Sequence, residues 1–325
     1  MNVLVTGGAG YIGGTVATLL LQAGHTVVVV DSLIHAKRNE VPAGVEFVDA
    51  DIADRPRLEA LLREQKFDGV LHFAALIEAG DSMRVPEVYF RNNTAATLAL
   101  LEAMHATGTN NLVFSSTAAV YGEPEAVPIP ETARLQPTNP YGESKLLVEY
   151  MLRWFNQLHG LRYASLRYFN VAGALPHRGE AHEPETHIIP LILDVALGRR
   201  EKILIYGDDY DTPDGTCIRD YIHVADLADA HILALDALKR QDRIVCNLGN
   251  GQGFSVKEVI EAARKVTGTA IPAEVKPRRA GDPARLVASA EEAHRILGWV
   301  PKTPEIDRIL ESAWQWHQQR YATRG

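Results

Sequence analysis

Residues 1–31 read MNVLVTGGAGYIGGTVATLLLQAGHTVVVVD, and no other stretch constrains the fold as strongly. Asn2 to Thr6 is an apolar run of strand length. It breaks into Gly7, Gly10 and Gly13, a G-x-x-G-x-x-G turn, and a helical pattern follows as far as Gly24. HTVVVVD is a second strand, closing on Asp31. Glycines in such a turn let the backbone bend tightly and approach a pyrophosphate, whose charge then sits at the helix N-terminus. An acid at the end of the second strand accepts hydrogen bonds from a ribose diol and repels a 2′-phosphate, which favours NAD over NADP. Strand, turn, helix, strand and acid in that order are a specific signal for a dinucleotide site.

The same alternation continues. VEFVDADI from Val45 to Ile52 and DGVLHFAA read as strands, with PRLEALLREQ as the helix between them. A helix is expected from Pro86 to about His105, then the strand NLVFSS. These β-runs lack period-2 alternation, as expected when both faces of a sheet are covered. The fold class is therefore α/β, a Rossmann-type doubly wound parallel sheet. TNPYGESKLLVEYMLRWFNQLHG is the clearest helix. Asn139 is its N-cap, Pro140 suits its first position, and Gly160 ends it. RYASLRYFNVAG is a further strand. After Gly173 the texture turns irregular and rich in His, Glu and Pro, so a smaller, interleaved C-terminal α/β domain is expected to begin there.

Two features mark chemistry. SSTAAVYG, Ser115 to Gly122, delivers hydroxyls to the carboxyl end of a strand. Downstream, Tyr141 and Lys145 stand four apart on one helix face. A lysine ammonium near a phenol favours the phenolate and lowers its pKa, giving a general base near neutrality. Tyr141 is the only tyrosine with a lysine four residues on. Ser115 and Ser116 are expected to satisfy polar groups at the strand end.

Composition excludes other classes. The chain has 325 residues, 46% of them hydrophobic and 23% charged, and a formal net charge of −8 without blocks of like charge. That argues against a nucleic-acid or membrane-surface binder. Apolar runs fall short of a membrane span. MNVLVTGG runs straight from the initiator into a strand, so no signal segment is expected. The two cysteines, Cys217 and Cys246, have no metal-like spacing and fit a reducing, cytoplasmic setting. His177, His182 and His187 recur every five residues among Glu180, Glu183 and Glu185. That spacing fits neither one helix face nor a finger, so a polar loop near the substrate and no metal is the expectation. Arg320 and Arg324 do not make a basic cluster.

The chain resembles the extended short-chain dehydrogenase/reductase superfamily and, within it, the UDP-glucose 4-epimerases. TGGAGYIG, FSSTAAVYG, NPYGESK, LRYFNVAGA, IYGDDYDTPDGTCIRDYIHVADLADAH, NLGNGQGFSV and RRAGDPA carry the resemblance in family order over nearly the whole chain. It implies Thr117, Tyr141 and Lys145 as catalytic residues. It implies NAD contacts from Gly7, Gly10, Tyr11, Ile12, Gly13, Asp31 and Ser32, from Asp51, Ile52, Phe73, Ala74 and Asn92, and from Ser115, Tyr141, Lys145 and Tyr168. For the nucleotide sugar it implies Thr117, Asn170, His187, Tyr206, Arg219, Arg279, Asp282 and Leu286, with the two arginines on the diphosphate and Tyr206 beside the uracil. Residues 1–172, rejoined by parts of 220–250, would hold NAD, and 173–325 the UDP-sugar. The helices near Pro86 and Pro140 would pair across a homodimer. The implied reaction oxidises the sugar at C4, lets the 4-keto sugar swing about its bond to the diphosphate, and reduces it on the opposite face, interconverting UDP-glucose and UDP-galactose.

Some positions separate this chain from relatives. A lysine near the nicotinamide in the best-known bacterial form corresponds to Ile77, and an asparagine at the sugar corresponds to His187. A bulky tyrosine that narrows the sugar pocket falls at Leu286, which implies room for UDP-N-acetylhexosamines. Dehydratase and decarboxylase lines carry an acid just after the catalytic threonine; Ala118 and Ala119 stand there instead. A UDP-glucuronate 4-epimerase needs no such acid and stays open. A silent dinucleotide sensor would usually lack the tyrosine or the lysine, and both are present.

Overall fold

The computed structural model describes residues 1–279 and 282–322; Ala280 and Gly281 of RRAGDPA, and Arg324, lie outside the described residues. The first half supplies strands β1 (Asn2–Thr6), β2 (Thr26–Asp31), β3 (Glu46–Asp49), β4 (Gly69–His72), β5 (Asn111–Thr117) and β6 (Arg162–Tyr168). The second half supplies β7 (Asn170–Ala172), β8 (Ile203–Tyr206), β9 (Ile218–His223), β10 (Arg243–Leu248), β11 (Gly253–Ser255), β12 (Ala273–Lys276) and β13 (Arg285–Leu286).

The large sheet has seven strands in the order β10-β6-β5-β4-β1-β2-β3, and every pairing in it is parallel. The chain starts in the middle, works outward to β3, then crosses to the other side of β1. The order therefore reverses between β1 and β4, which opens a crevice at the carboxyl ends of those strands. Successive side chains of a strand point to opposite faces. Val27 and Val29 pack with Val16, Leu20, Leu227 and Leu235 on one face. Val28 and Val30 pack with Leu58, Leu62, Leu100 and Met104 on the other. Each residue of VVVV is thus buried, which is why the run shows no alternation. Cutting any of these leucines to alanine costs about 2–5 kcal/mol in transfer and cavity terms.

Two elements depart from expectation. The helix after Pro86 is not continuous: an α-turn at Pro86–Tyr89 passes into a π-turn at Phe90–Ala95 before regular helix resumes over Ala96–Thr107. A π-turn adds a residue to the ring and re-aims the side chains in it. Here it points Asn93 at the loop after β4, where it accepts from the Leu76 amide at 2.8 Å and donates to the Leu76 carbonyl at 2.9 Å. The expected strand RYASLRYFNVAG is split at Phe169. β6 stops at Tyr168 because its partner β5 ends opposite, at Thr117, in a 3-10 turn over Ala118–Tyr121. The chain then joins another sheet, β7 pairing with β9.

The long helix Pro140–His159 begins as expected, with Asn139 Oδ1 accepting from the Gly142 amide at 2.9 Å, and Gly160 ends it in the left-handed region. Beyond it, β11, β9, β13 and β7 form a small mixed sheet, and β8 and β12 a parallel pair. Ile192, Leu193, Val259, Ile260, Ile309 and Leu310 make the core of this part.

Candidate active site

The crevice is a cavity of about 490 Å³ lined by the carboxyl ends of the large sheet's strands. After β1 come Gly7, Gly10, Tyr11, Ile12 and Gly13; after β2, Asp31 and Ser32; after β3, Asp51 and Ile52; after β4, Phe73 and Ala74. Asn92 reaches it from the π-turn, Ser115 and Thr117 from β5, and Tyr168 from the end of β6. Tyr141, Lys145, Asn170 and His187 complete the predicted residues found there.

Two glycines of the turn are held by close approach. Gly7 has φ +71°, and a Cβ on it would lie 2.5 Å from the Ala74 amide nitrogen. A Cβ on Gly13 would lie 2.4 Å from the Gly7 carbonyl oxygen. The helix Tyr11–Gln22 starts directly at this turn, with Gly10 as its N-cap and no acidic residue in its first turn. Its unpaired amides and positive end are left for an anion. Asp31 accepts from the Ala9 amide at 3.0 Å and from the Leu33 amide at 2.8 Å, so its carboxylate also ties the second strand to the turn. A bare-backbone cradle at a helix start, an acid beside it and an elongated crevice fit a dinucleotide with a free ribose diol.

At the other end, β5 and the long helix bring the catalytic candidates together. Thr117 Oγ1 accepts from the Ala119 amide at 3.1 Å and caps the 3-10 turn. Lys145 is 3% exposed, and its ammonium donates to the Ser115 carbonyl at 2.9 Å and lies 5.0 Å above the Phe114 ring. Burial draws its pKa down to about 7. Burial pushes the Tyr141 phenol above its ordinary value, with Glu78 adding to the rise and the Thr117 hydroxyl opposing it. The expected lowering of Tyr141 by Lys145 is thus not produced by the pair alone: both are desolvated, and the ammonium is spent on a backbone carbonyl. Ser115 bonds the Tyr168 hydroxyl. Ser116 donates at 2.6 Å to Glu149, a buried carboxylate also held by Ser165 and Arg167. Both serines satisfy polar groups, as expected.

The remaining predicted substrate residues lie apart from this lining. Arg279 stacks over the Tyr206 ring at 4.0 Å, Arg219 pairs with Asp282, and Leu286 is in register with Arg219 across β13 and β9. Leu286 and Phe169, itself on the cavity wall, pack against the same small cluster around Tyr121 and Leu146.

Sequence reasoning placed Glu180 and His182 in a polar loop near the substrate without naming them as site residues, and it did not single out Glu78. Glu78, Glu180 and His182 line the same cavity, and His182 Nε2 stands 3.5 Å from Glu78 Oε1. Glu180 and Glu78 hold His182 up at about 10, and Glu78 is held down at about 2 chiefly by His182. The signal was a repeated Glu-x-His, Glu180-Ala181-His182 and Glu185-Thr186-His187. In each, the glutamate accepts from the two amides that follow it and from Nδ1 of the histidine.

The family model "NAD dependent epimerase/dehydratase family" matches residues 3–249. The UDP-glucose 4-epimerase of Lacticaseibacillus casei is 53% identical over 321 residues, covering 98% of this chain and 97% of that protein. A crystal structure of a UDP-glucose 4-epimerase superposes with TM-score 0.95 at 50% identity, covering 98% of each chain. The Stenotrophomonas maltophila enzyme, a UDP-glucose-4-epimerase with bound NAD and formylated UDP-arabinopyranose, gives TM-score 0.96 at 44% identity over 99% of each chain. With this fold, this crevice and this likeness along its whole length, the chain belongs to the NAD dependent epimerase/dehydratase family and, within it, to the UDP-glucose 4-epimerases.

Proposed function

We propose that this chain interconverts UDP-glucose and UDP-galactose with NAD held in the crevice. The observation that carries the reading is the convergence of Thr117, Tyr141 and Lys145 on the same cavity as the glycine turn and Asp31. Gly7, Gly10, Ile12 and Gly13 would hold the pyrophosphate at the helix start, Asp31 and Ser32 the adenosine ribose, and Phe73, Ser115, Lys145 and Tyr168 the nicotinamide end. Bound there, NAD supplies a hydride acceptor, and then a donor, for the sugar's C4.

Tyr141 takes the proton from the sugar's 4-hydroxyl and later returns it. Thr117 orients that hydroxyl and favours the phenolate by hydrogen bonding. Arg219 and Arg279 grip the diphosphate through planar guanidinium forks, with Asp282 holding Arg219 in place. With the nucleotide fixed, the sugar is the part left free to present its other face. Ala118 and Ala119 offer no acid for elimination, which supports epimerisation over dehydration.

Purified protein assayed with UDP-galactose should form UDP-glucose, and Tyr141→Phe should lose roughly 100-fold or more, the scale of a lost acid–base group. Full activity in that variant breaks the mechanism. Leu286, smaller than tyrosine, supports activity on UDP-N-acetylhexosamines as well; no turnover of UDP-GlcNAc alongside good turnover of UDP-galactose would sink that extension.

The finer organisation is our reading too. We take 1–172 with the returning part of 220–250 as the cofactor unit and 173–325 as the sugar unit; the return of β10 to the large sheet supports it. A homodimer is supported by exposed Val88, Leu98, Tyr150, Trp154 and Leu158 on the two long helical segments. Cytoplasmic location is supported by two buried free thiols, Cys217 and Cys246. Among the described residues no helix is long and apolar enough to cross a membrane.

A further inference from the structure

We propose that the buried ion pair Glu149–Arg167 is a positioning device for the reaction, setting where Thr117 stands against Tyr141 and Lys145. The proposal rests on the epimerase reading of those three residues. Glu149 lies on the helix Pro140–His159, four residues beyond Lys145 and eight beyond Tyr141, so the three share a face. Its buried carboxylate takes its partners from β5 and β6. Oε1 accepts from the Ser116 hydroxyl at 2.6 Å, the Ser165 hydroxyl at 2.9 Å and Arg167 Nε at 3.0 Å, and Oε2 accepts from Arg167 Nη2 at 2.5 Å. Ser116 and Arg167 stand opposite each other in the β5–β6 register. The helix that carries the phenol and the ammonium is thereby pinned to the strand that carries the threonine.

The pins fall on both sides of Thr117. Ser116, directly before it, is held by Glu149, while Ser115 and Thr117 line the cavity. Thr117 opens the 3-10 turn Ala118–Tyr121. At the far end of that turn Arg167 Nη1 donates to the Tyr121 hydroxyl at 2.9 Å, and that hydroxyl donates to Asn247 at 2.6 Å. One ion pair thus clamps both ends of the turn that aims the Thr117 hydroxyl. It also reaches the cofactor end of the crevice. The residue after Arg167 is Tyr168, bonded to Ser115, whose carbonyl holds Lys145. Stability does not explain such a pair, because desolvating two charges costs about what their attraction returns, and apolar side chains of similar volume serve as well. What apolar side chains lack is direction, which a set of charge-assisted hydrogen bonds fixes. A misplacement of about 1 Å is enough to cost about 100-fold in rate.

The test separates placement from stability. Glu149→Leu together with Arg167→Met exchanges the pair for apolar side chains, so thermal unfolding and NAD content should stay near the parent's. For UDP-galactose, kcat per bound NAD should fall about 10–100-fold. KM should hold, since Arg219 and Arg279 grip the nucleotide elsewhere. Ser116→Ala keeps the ion pair and its packing, and should show the same split more weakly. Asp226→Ala is the control. This buried carboxylate accepts from the Thr303 amide at 2.8 Å, on the helix Val224–Ala237 over the opposite face of the sheet. Its loss should lower the unfolding temperature and leave kcat per bound NAD unchanged. Parental kcat per bound NAD in either Ser116→Ala or the double variant overturns the proposal, as does an equal fall in Asp226→Ala. A parent that does not turn over UDP-galactose sinks the epimerase reading instead, and the placement is then read without turnover. The probe is ¹³C NMR of NAD-loaded protein labelled at tyrosine Cζ, with Tyr141 assigned by Tyr141→Phe. The Thr117 hydroxyl opposes the rise in the Tyr141 pKa, so loosening it should move that titration upward in both variants. A titration that does not move overturns the proposal.

Discussion

Lys145 illustrates how burial sets the working range of a single side chain. Its folded pKa of about 7 lies below the 10.5 of a free lysine. Between those values the unfolded chain binds more protons than the folded one, so this group makes stability rise as pH climbs from about 7 towards 10. Below that window the buried ammonium is a burden of at most a few kcal/mol, since each tenfold change in proton affinity is worth ~1.4 kcal/mol. Lys145→Met should therefore be more stable than the parent at pH 6, with the rise between pH 7 and 10 flattened. Denaturant melts across that range test it, and an unchanged slope refutes the assignment. Gly13→Ala belongs to the same scale. Its methyl would meet the Gly7 carbonyl at 2.4 Å, so the turn must shift, and the purified variant should carry much less NAD than the parent. The residues legible in the sequence were those whose role is local. Gly7, Asp31 and Thr117 each sit where a strand stops, and the neighbours along the chain announce that. Glu149 was not legible. In LLVEYMLRW it reads as one more charge on a helix face, yet it is 8% exposed and paired with Arg167 from β6. Nothing in the periodicity of a helix states what the next strand will place against it.

At the scale of elements, the π-turn is the informative departure. Hydrophobic spacing over 86–107 fits a plain helix, because one extra residue in a ring barely disturbs the pattern. What it changes is direction. Consecutive asparagines face different tasks, Asn92 lining the cavity while Asn93 braces the Leu76 backbone and donates to Ser144 at 3.1 Å. Ser144 in turn donates to the Tyr141 carbonyl at 2.7 Å. The chain of bonds runs from the cavity floor to the helix that presents the phenol. Asn93→Ala should orphan buried groups and cost about 1–3 kcal/mol per unsatisfied partner. Thermal unfolding measures that loss, and a variant with parental stability would show that the brace is idle. The Thr6–His72–Thr97 series, at 2.6 and 2.8 Å, anchors the same region to β1 and β4. These braces link elements far apart in the chain, and sequence patterns record only neighbours.

For the whole molecule, the large sheet is the organising object, and its last strand comes late. β10 pairs with β6 along its full length, and Asn247 within it accepts from the Tyr121 hydroxyl and donates to the Ile129 carbonyl. The helix Val224–Ala237, which covers one face beside Val16 and Leu20, arrives just before it. A fragment of residues 1–172 should therefore expose an unpaired β6 edge and a bare apolar face, and recover mainly as aggregate on expression; a soluble, monomeric, NAD-binding fragment would contradict this. During synthesis the same geometry acts in time. Everything through β6 leaves the ribosome first, and the edge waits open while residues 173–202, with the helix Ile188–Ala196, β8 and β9 are made. The enzyme is thus born with its most adhesive surface showing, and how fast residues 224–248 are translated becomes a determinant of how much of it folds.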